Sequence, residues 1–544
     1  MRIWLYPLIG LVLLNIGLLE ENTLFLVVLS LPFIGIGFAT LFKPFNKLFS
    51  FLELLIAGIL GVLSIFSIIQ FLSYFISISA LLFCNLFIVV LTILHLLDFN
   101  KQVNPEKSEL FIICLSFIFL VLQLTRNLHM MGTEDEYAYA WSILHPSTFL
   151  ALSNIFRVFF SLVLAFFGEL HFSLLFLRYV MIFLSSLLPI VTYLIGSLFS
   201  KRLAWFASLL VVVFPTVWFN SPRLYSDIFL AITLSFSLFL FLRYSKERNR
   251  SLLFSSYIFL TLSFLIKQSS FIFFPLFFFS RSKKIKLFLI MSFVLLVFSL
   301  PSLSFLVTDS FEFLRSLSDN LGIIQNRLAS LFGHTALLIG LPLLIFLGKR
   351  KIPKQILLAI LIFYYSVFAF ILVYWAHGTR HLLFVLPIFS FLVVYSFKKV
   401  FTPRIFFLAV TLLFVVLISF SSLFFPVQSD EFLSDAASWI FQNTNSSDSI
   451  LSNAYTALTV YANQEITSVP RRRIEFERLI ENHSVDYLIV LHLYPLRHYE
   501  RWPYLSDYIA SESNDSHLDL VYTKSGKDPT TKVFSQIISV YKVE

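Results

Sequence analysis

Long apolar runs separated by short polar segments make up most of the first 425 residues of the chain. A membrane-crossing helix needs roughly 20 mainly apolar residues, so this pattern predicts a polytopic α-helical membrane protein with about fifteen spans. The short runs 252–266 and 269–280 are also compatible with one broken segment. The predicted spans are 3–20, 24–42, 51–72, 74–97, 109–126, 173–199, 203–220, 227–243, 252–266, 269–280, 285–306, 331–347, 355–375, 381–397 and 404–424.

The composition agrees with this pattern. The chain is 58% hydrophobic and 13% charged, with a mean hydropathy of +0.86, whereas soluble domains carry about 25% charged residues. The net charge of +9 does not indicate a nucleic-acid partner, because the basic residues are concentrated in the loops between the spans.

Orientation follows from the basic residues, since Lys and Arg accumulate in cytoplasmic loops. With a cytoplasmic N-terminus and alternating spans, 22 of the 30 Lys and Arg residues in the first 425 lie on the cytoplasmic side. This topology requires that the apolar stretch Phe149–Phe167 does not cross. We expect it to lie along the outer interface, where Arg157 suits an interfacial helix.

The chain becomes more polar after Phe425. Phe432–Gln442 and Arg471–Glu481 are predicted helices, while Ile450–Ser452 and Asp486–Leu491 are predicted buried strands. The sequence therefore predicts three parts. They are a four-span N-terminal extension (1–104), a membrane domain (105–425) with a large outer loop (127–172), and an extracytoplasmic α/β domain (426–544).

Three consecutive carboxylates, Glu134, Asp135 and Glu136, follow directly after an apolar run. Acidic residues near hydrocarbon are costly and usually mark a pathway or a site. Tyr139 follows within the same polar stretch. Carboxylates at a membrane boundary beside aromatic residues suit a general base, although a solvated outer loop is the plain alternative.

The other polar residues on the predicted outer side are Arg223, Asp227, Lys267, His377, Arg380 and His381. Asp227 is otherwise interpreted as a helix cap that interacts with the helix N-terminus, and Lys267 as a side chain that reaches to the membrane surface. Arginine matches phosphate oxygens in bidentate fashion, so Arg380 suits a lipid phosphate. His377 and His381, four residues apart, are able to share a helix face, but no third metal ligand is near them in sequence.

These residues form an ordered set that resembles the GT-C superfamily of membrane glycosyltransferases, of the protein O-mannosyltransferase and aminoarabinose transferase type. The resemblance covers about residues 105–400. The Lys-Pro-Pro-like segment of that family is missing, and Arg157 is the candidate substitute. The segments that carry the resemblance are Asp135-Glu136-x-x-Tyr139-Ala140, Phe167-Gly168 with Arg178, Phe214-Pro215 with Arg223 and Asp227, Leu265-Ile266-Lys267 with Pro275, and Arg380-His381 with Leu386-Pro387.

The resemblance implies an inverting transfer of a sugar from a polyprenyl-phosphate donor to a hydroxyl of a protein, glycan or lipid, in a bacterial or archaeal cell membrane. Asp135 would be the base, and Glu136 and Asp227 would orient the base or the sugar. Arg157, Lys267 and Arg380 would hold the leaving phosphate. The family implies no metal requirement, although three adjacent carboxylates are able to bind Mg²⁺ or Mn²⁺. A flippase or transporter, and a non-catalytic scaffold, are the rival classes.

Overall fold

The computed structural model of the protein comprises a large helical part and a smaller part that contains a β-sheet. The predicted spans 285–306, 331–347, 355–375 and 404–424 lie outside the described residues, as does nearly all of 269–280. The described residues are 2–20, 23–42, 49–73, 79–96, 104–124, 136, 139–140, 143, 158–171, 173–267, 270, 383–397, 431–445, 447–462, 464, 466–470, 473–482, 484–492, 505, 518–527 and 535–543.

Four apolar helices form the N-terminal extension: α1 (Leu5–Gly17), α2 (Phe25–Leu41), α3 (Phe51–Ser73) and α4 (Ala80–Leu96). They match the four runs predicted there and pack against one another. The backbones of α2 and α3 approach closely at Gly35 and Gly58, where a methyl group on Gly58 would overlap the carbonyl oxygen of Gly35. Small residues allow such close approach of helices in membranes.

The following helices begin at recognisable caps. The side chains of Ser173, Ser200 and Asn249 each accept a hydrogen bond from a backbone N–H of the first turn that follows, which satisfies groups that have no intrahelical partner. Helices of this part are α5 (Lys107–Leu124), α6 (Val158–Leu170), α7 (Leu174–Ser186), α8 (Leu188–Ser197), α9 (Lys201–Val212), α10 (Pro215–Asn220), α11 (Ser226–Glu247), α12 (Arg250–Ile266) and α13 (Leu386–Phe397).

Four segments of the described residues are helical, long and apolar enough to cross a membrane: Phe51–Leu72, Lys107–Leu124, Leu174–Ser197 and Ser226–Glu247. The third combines α7 and α8, which meet at Leu187 just before Pro189. Several shorter apolar helices accompany them, among them α1, α2 and α12. The helical membrane class is therefore confirmed, while the number of spans and their orientation stay predictions.

Helix α6 overlaps the second half of the stretch Phe149–Phe167, whose first half lies outside the described residues. Its residues Phe159 to Phe167 are buried by other helices, whereas an interfacial helix keeps one polar face. Phe159 contacts Phe229 at the start of α11, and Phe167 contacts Phe176 at the start of α7. The chain crosses the bundle through α7 and α8 and returns through α9 and α10. The starts of α7 and α11 therefore lie at the same end of the helix bundle, and so do both ring contacts. Helix α6 thus runs along that end, covered by protein.

The C-terminal part contains a five-stranded sheet of order β2-β1-β3-β5-β4, in which β1 is parallel to β2 and β3 while β5 is antiparallel to β3 and β4. Two predicted helices and two predicted strands are present at nearly the predicted positions, and β4 and β5 were not predicted. The elements are α14 (Glu431–Asn443), β1 (Ile450–Ser452), α15 (Tyr455–Ala462), β2 (Thr467–Ser468), α16 (Arg473–Glu481), β3 (Tyr487–His492), β4 (Leu518–Lys527) and β5 (Ser535–Val543).

Spatial contacts between residues divide the chain into two compact units. Met1–Arg126 and Phe149–Val415 form the first, and Asn127–Thr148 and Val416–Glu544 form the second. The segment that carries the three carboxylates is thus grouped with the C-terminal sheet. The three-part division at residues 104/105 and 425/426 stays a prediction.

Candidate active site

Asp227 lies in the first turn of α11, where the helix dipole favours a negative charge. The chain reaches it through a turn after α10 and an extended Tyr225, which is the N-cap residue and makes no side-chain capping bond. Asp227 is therefore not the helix cap, and its side chain is only 6% exposed.

Lys267 follows the last residue of α12 in an extended conformation, with φ −159° and ψ 129°. Its ammonium group donates a hydrogen bond of 2.6 Å to Oδ1 of Asp227, and its side chain is also 6% exposed. Lys267 thus points into the protein and does not reach to the surface. The structure brings together two of the predicted site residues that lie 40 positions apart in the chain.

A buried ion pair of this kind is seldom a source of stability. Removing two charges from water costs several kcal/mol per ion, and their attraction repays this cost only with good geometry and further hydrogen bonds. Apolar residues would fill the same space without the cost of removing charges from water. Intramembrane charges of this type are by default a functional-site hypothesis, which makes the pair the strongest candidate for an active site in the described residues.

Two other polar residues lie close to Asp227 and Lys267 along the chain. Arg223 lies half-buried on the connection from α10 to α11, four residues before Asp227. Ser270 is fully buried and its backbone N–H donates to the carbonyl of Lys267 at 3.2 Å. Its hydroxyl has no hydrogen-bond partner among the described residues, so a polar group is available beside the backbone of Lys267.

The acidic stretch is described in part. Glu136 is helical and fully buried, and Tyr139 is helical and half-buried. Both belong to the second compact unit. The predicted site residues that lie outside the described residues are Glu134, Asp135, Arg157, His377, Arg380 and His381.

Within the described part of the chain, three buried charged residues were not among the predicted site residues: Glu53, Glu109 and Arg178. Arg178 lies in α7 with 2% exposure. Glu53 lies in the first turn of α3, and its Oε2 accepts a hydrogen bond of 2.6 Å from Nη1 of Arg243 in α11. A charged residue within an apolar run is the signal that indicates such positions, and Glu53 carries that signal in the predicted span 51–72.

The described residues contain no group of three His, Cys, Asp or Glu side chains arranged to hold a metal ion. Glu134 and Asp135 are not among them, so this finding concerns only the rest of the site. Metal independence stays a prediction.

Comparison with solved structures identifies the fold. The chain is similar to ArnT from Cupriavidus metallidurans in the apo state, with a TM-score of 0.52 and 13% sequence identity over 79% of this chain and 97% of ArnT. The crystal structure of the same protein bound to undecaprenyl phosphate matches with a TM-score of 0.51 and 12% identity over the same shares. No match is found among curated protein sequences.

The shared fold and a family-model match confirm the resemblance to the GT-C class of membrane glycosyltransferases. Residues 155–305 match the family model described as dolichyl-phosphate-mannose-protein mannosyltransferase. This segment contains Arg157, Arg223, Asp227 and Lys267, and so includes both members of the buried pair.

Proposed function

We propose that this protein is an integral membrane glycosyltransferase that moves a sugar from a polyprenyl-phosphate donor to an acceptor hydroxyl. The observation that carries the proposal is the buried Asp227–Lys267 pair, at 2.6 Å, inside the segment that matches the mannosyltransferase family model. The donor class is supported by the undecaprenyl phosphate bound to ArnT, a protein of the same fold.

Lys267 suits contact with the phosphate of the donor. An ammonium group has three N–H donors, and the described contact with Asp227 uses one of them. In the proposed complex this ammonium group also donates to phosphate oxygens of the donor, while Asp227 holds it in place. Negative charge on the leaving phosphate grows in the transition state, and preorganised donors that meet such charge usually supply a large part of catalysis.

Further cations are needed, because Lys267 paired with Asp227 adds no net charge to the site. Arg223, four residues before Asp227, is a described candidate. Arg157 and Arg380 are candidates from the sequence, and a guanidinium matches phosphate oxygens in bidentate fashion. His377 and His381 would contact the donor beside Arg380.

The acidic stretch suits the acceptor. In an inverting transfer the acceptor oxygen attacks the anomeric carbon, its proton passes to the Asp135 carboxylate, and the bond from the anomeric carbon to the phosphate oxygen breaks. The phosphate leaves with the electron pair of that bond. Glu134, Glu136 and Tyr139 would orient the base or the sugar. We place this chemistry on the outer face of a cell membrane, with residues 426–544 on the same side.

The experiment is transfer of radiolabelled sugar from polyprenyl-phosphate donors by the purified protein in liposomes, with membrane extract as acceptor. We expect label on an acceptor with the wild type and a loss of at least about a hundredfold in rate with Asp135→Asn or Asp227→Asn, the size of loss seen when a group that stabilises the transition state is removed. Asp519→Asn, on the exposed part of strand β4, is the control and should transfer at the wild-type rate.

Three other outcomes would change the proposal. Equal transfer by Asp135→Asn and the wild type would remove Asp135 as the base. Movement of labelled lipid between leaflets with no transfer from any donor would replace the proposal by a flippase. Transfer that EDTA abolishes and Mg²⁺ or Mn²⁺ restores would overturn the expected metal independence and leave the transferase in place.

A further inference from the structure

The N-terminal extension, helices α1 to α4, has no role in the function proposed above. The structure nevertheless packs it against three helices of the membrane domain. Helix α3 contacts α6 and α8, and α2 contacts α7. The extension is therefore in direct contact with the membrane domain.

Helix α6 connects α3 with the site at one end of the bundle. Phe66 of α3 stacks on Phe166 of α6, with ring centroids 4.3 Å apart. At the other end of α6, Phe159 and Phe160 contact Phe229 at 5.6 and 6.5 Å. Phe229 is two residues after Asp227. Helix α6 also packs against α12, the helix that ends directly before Lys267.

Helix α3 holds the opposite end of α11 through charge. Glu53, in the first turn of α3, accepts hydrogen bonds from the backbone N–H of Ser50 at 3.0 Å and from Arg243 at 2.6 Å. Arg243 also donates to Glu247 one turn further along α11, at 2.8 Å. The side chains of Glu53 and Arg243 are 8% and 16% exposed, so solvent screens this pair little.

We propose that the N-terminal extension positions the Asp227–Lys267 pair, and that Phe66 and Glu53 are its positioning residues. Helix α3 contacts α11 directly near one end and, through α6, near the end that carries Asp227. Close-packed interiors transmit displacement because they leave little free volume. A shift of α3 therefore moves α6, and with it the start of α11 and the end of α12.

The expected effect on catalysis rests on the proposed function. The test therefore includes one readout that does not depend on transfer activity. The first readout is the labelling rate of Lys267 by a small amine-reactive reagent, measured by mass spectrometry on the full-length protein. Lys267 is buried and paired, and its labelling reports how well the pair is held. The second readout is kcat and KM for sugar transfer.

The variants are Phe66→Leu and a matched control, Phe117→Leu, whose side chain in α5 is 54% exposed. We expect Phe66→Leu to raise the labelling of Lys267 severalfold and to lower kcat about tenfold with little change in KM. A displacement of a functional group by about 1 Å costs up to about a hundredfold in rate. Phe117→Leu should behave as the wild type in both readouts. Phe66→Met, whose flexible side chain adapts to an irregular gap, replaces Phe66→Leu if the latter does not fold.

The charged contact has its own pair of variants. Glu53→Gln should raise Lys267 labelling and lower kcat in the same manner. Its control, Glu106→Gln, removes an ion pair with Lys201 in which both side chains are more than 60% exposed, and exposed pairs contribute little.

The outcomes separate the two proposals. Wild-type transfer together with unchanged labelling and kcat in folded Phe66→Leu and Glu53→Gln would overturn the positioning role and leave the transferase intact. Raised labelling in these variants, with no transfer by the wild type from any donor, would support positioning and reject the transferase.

Discussion

The buried pair of Asp227 and Lys267 is the central feature at the scale of single residues. Each residue alone has an ordinary explanation, because an acidic residue is common in the first turn of a helix and lysine often reaches to a membrane surface. The contact of 2.6 Å between two side chains of 6% exposure shows that Lys267 does not reach the surface and that Asp227 has a partner beyond its own helix. Each charge offsets part of the cost of burying the other.

Single and double substitutions of the pair separate its structural contribution from its catalytic one. Asp227→Asn or Lys267→Gln leaves one buried charge without its partner and should lower the free energy of unfolding by about 3–5 kcal/mol. The double variant Asp227→Asn/Lys267→Gln removes both charges, so it should regain most of the stability, as measured by thermal unfolding in detergent.

Transfer activity should not return in that double variant, because the phosphate would have lost its ammonium partner. Recovery of both stability and transfer in the double variant would show that the pair is structural only. The control is Glu106→Gln/Lys201→Gln, which removes an exposed pair and should leave both quantities unchanged.

Helix contacts explain the extension at the scale of elements. Helices in a membrane associate through close packing, since lipid is as apolar as their side chains. The crossing of α2 and α3 at Gly35 and Gly58 brings the two backbones together. The position of α3 depends on this crossing, and α3 carries both Phe66 and Glu53.

Alanine substitutions of glycine test the crossing. Gly58→Ala should destabilise the protein by about 1–3 kcal/mol, because its methyl group meets the rigid backbone at Gly35. The loss exceeds the gain of about 1 kcal/mol in helix propensity. Gly37→Ala, whose nearest neighbour would be Cδ of Pro7 at 3.0 Å, should be close to neutral.

Thermal unfolding of the purified variants in one detergent gives the comparison. Gly61→Ala would meet a ring carbon of Phe38 at 2.5 Å, and a side chain yields more easily than a backbone, so its effect should lie between the other two. Equal stability of all three variants would contradict the close approach of α2 and α3.

The whole molecule consists of two compact units, and the acidic stretch belongs to the unit with the sheet. The core of that unit includes Leu451, Phe476, Leu488 and Tyr541. The stability of the C-terminal unit is therefore expected to affect the segment that carries Asp135 and Glu136.

A core substitution in this unit should reduce both its stability and transfer. Phe476→Ala removes a fully buried ring and should cost about 3–5 kcal/mol, seen as faster proteolysis within residues 426–544 of the purified protein. Transfer should fall with it, because the acidic stretch belongs to the same unit. Ile474→Ala, 66% exposed on the same helix, should change neither quantity. Full transfer by a proteolysis-sensitive Phe476→Ala would contradict this dependence.

The strands β4 and β5 show where prediction from the sequence was incomplete. Leu518, Asp519 and Leu520 open β4 with an alternation of apolar and polar residues that indicates a strand. The alternation ends at Leu520, because the apolar residues Leu520 and Val521 are adjacent, so it does not predict a strand of ten residues. The parallel strands β1 and β3 were predicted, since buried strands of that kind are continuous apolar runs.

The sequence by itself determined the helical membrane class, the positions of the described apolar helices and the identity of the polar residues near their ends. Hydrophobic length and helix caps are local properties, so each is visible in a short segment. Only the tertiary structure decided that Asp227 meets Lys267 across 40 residues, that Glu53 meets Arg243 across 190, and that α6 is covered by protein. These contacts depend on how distant helices pack, and local sequence does not specify that packing.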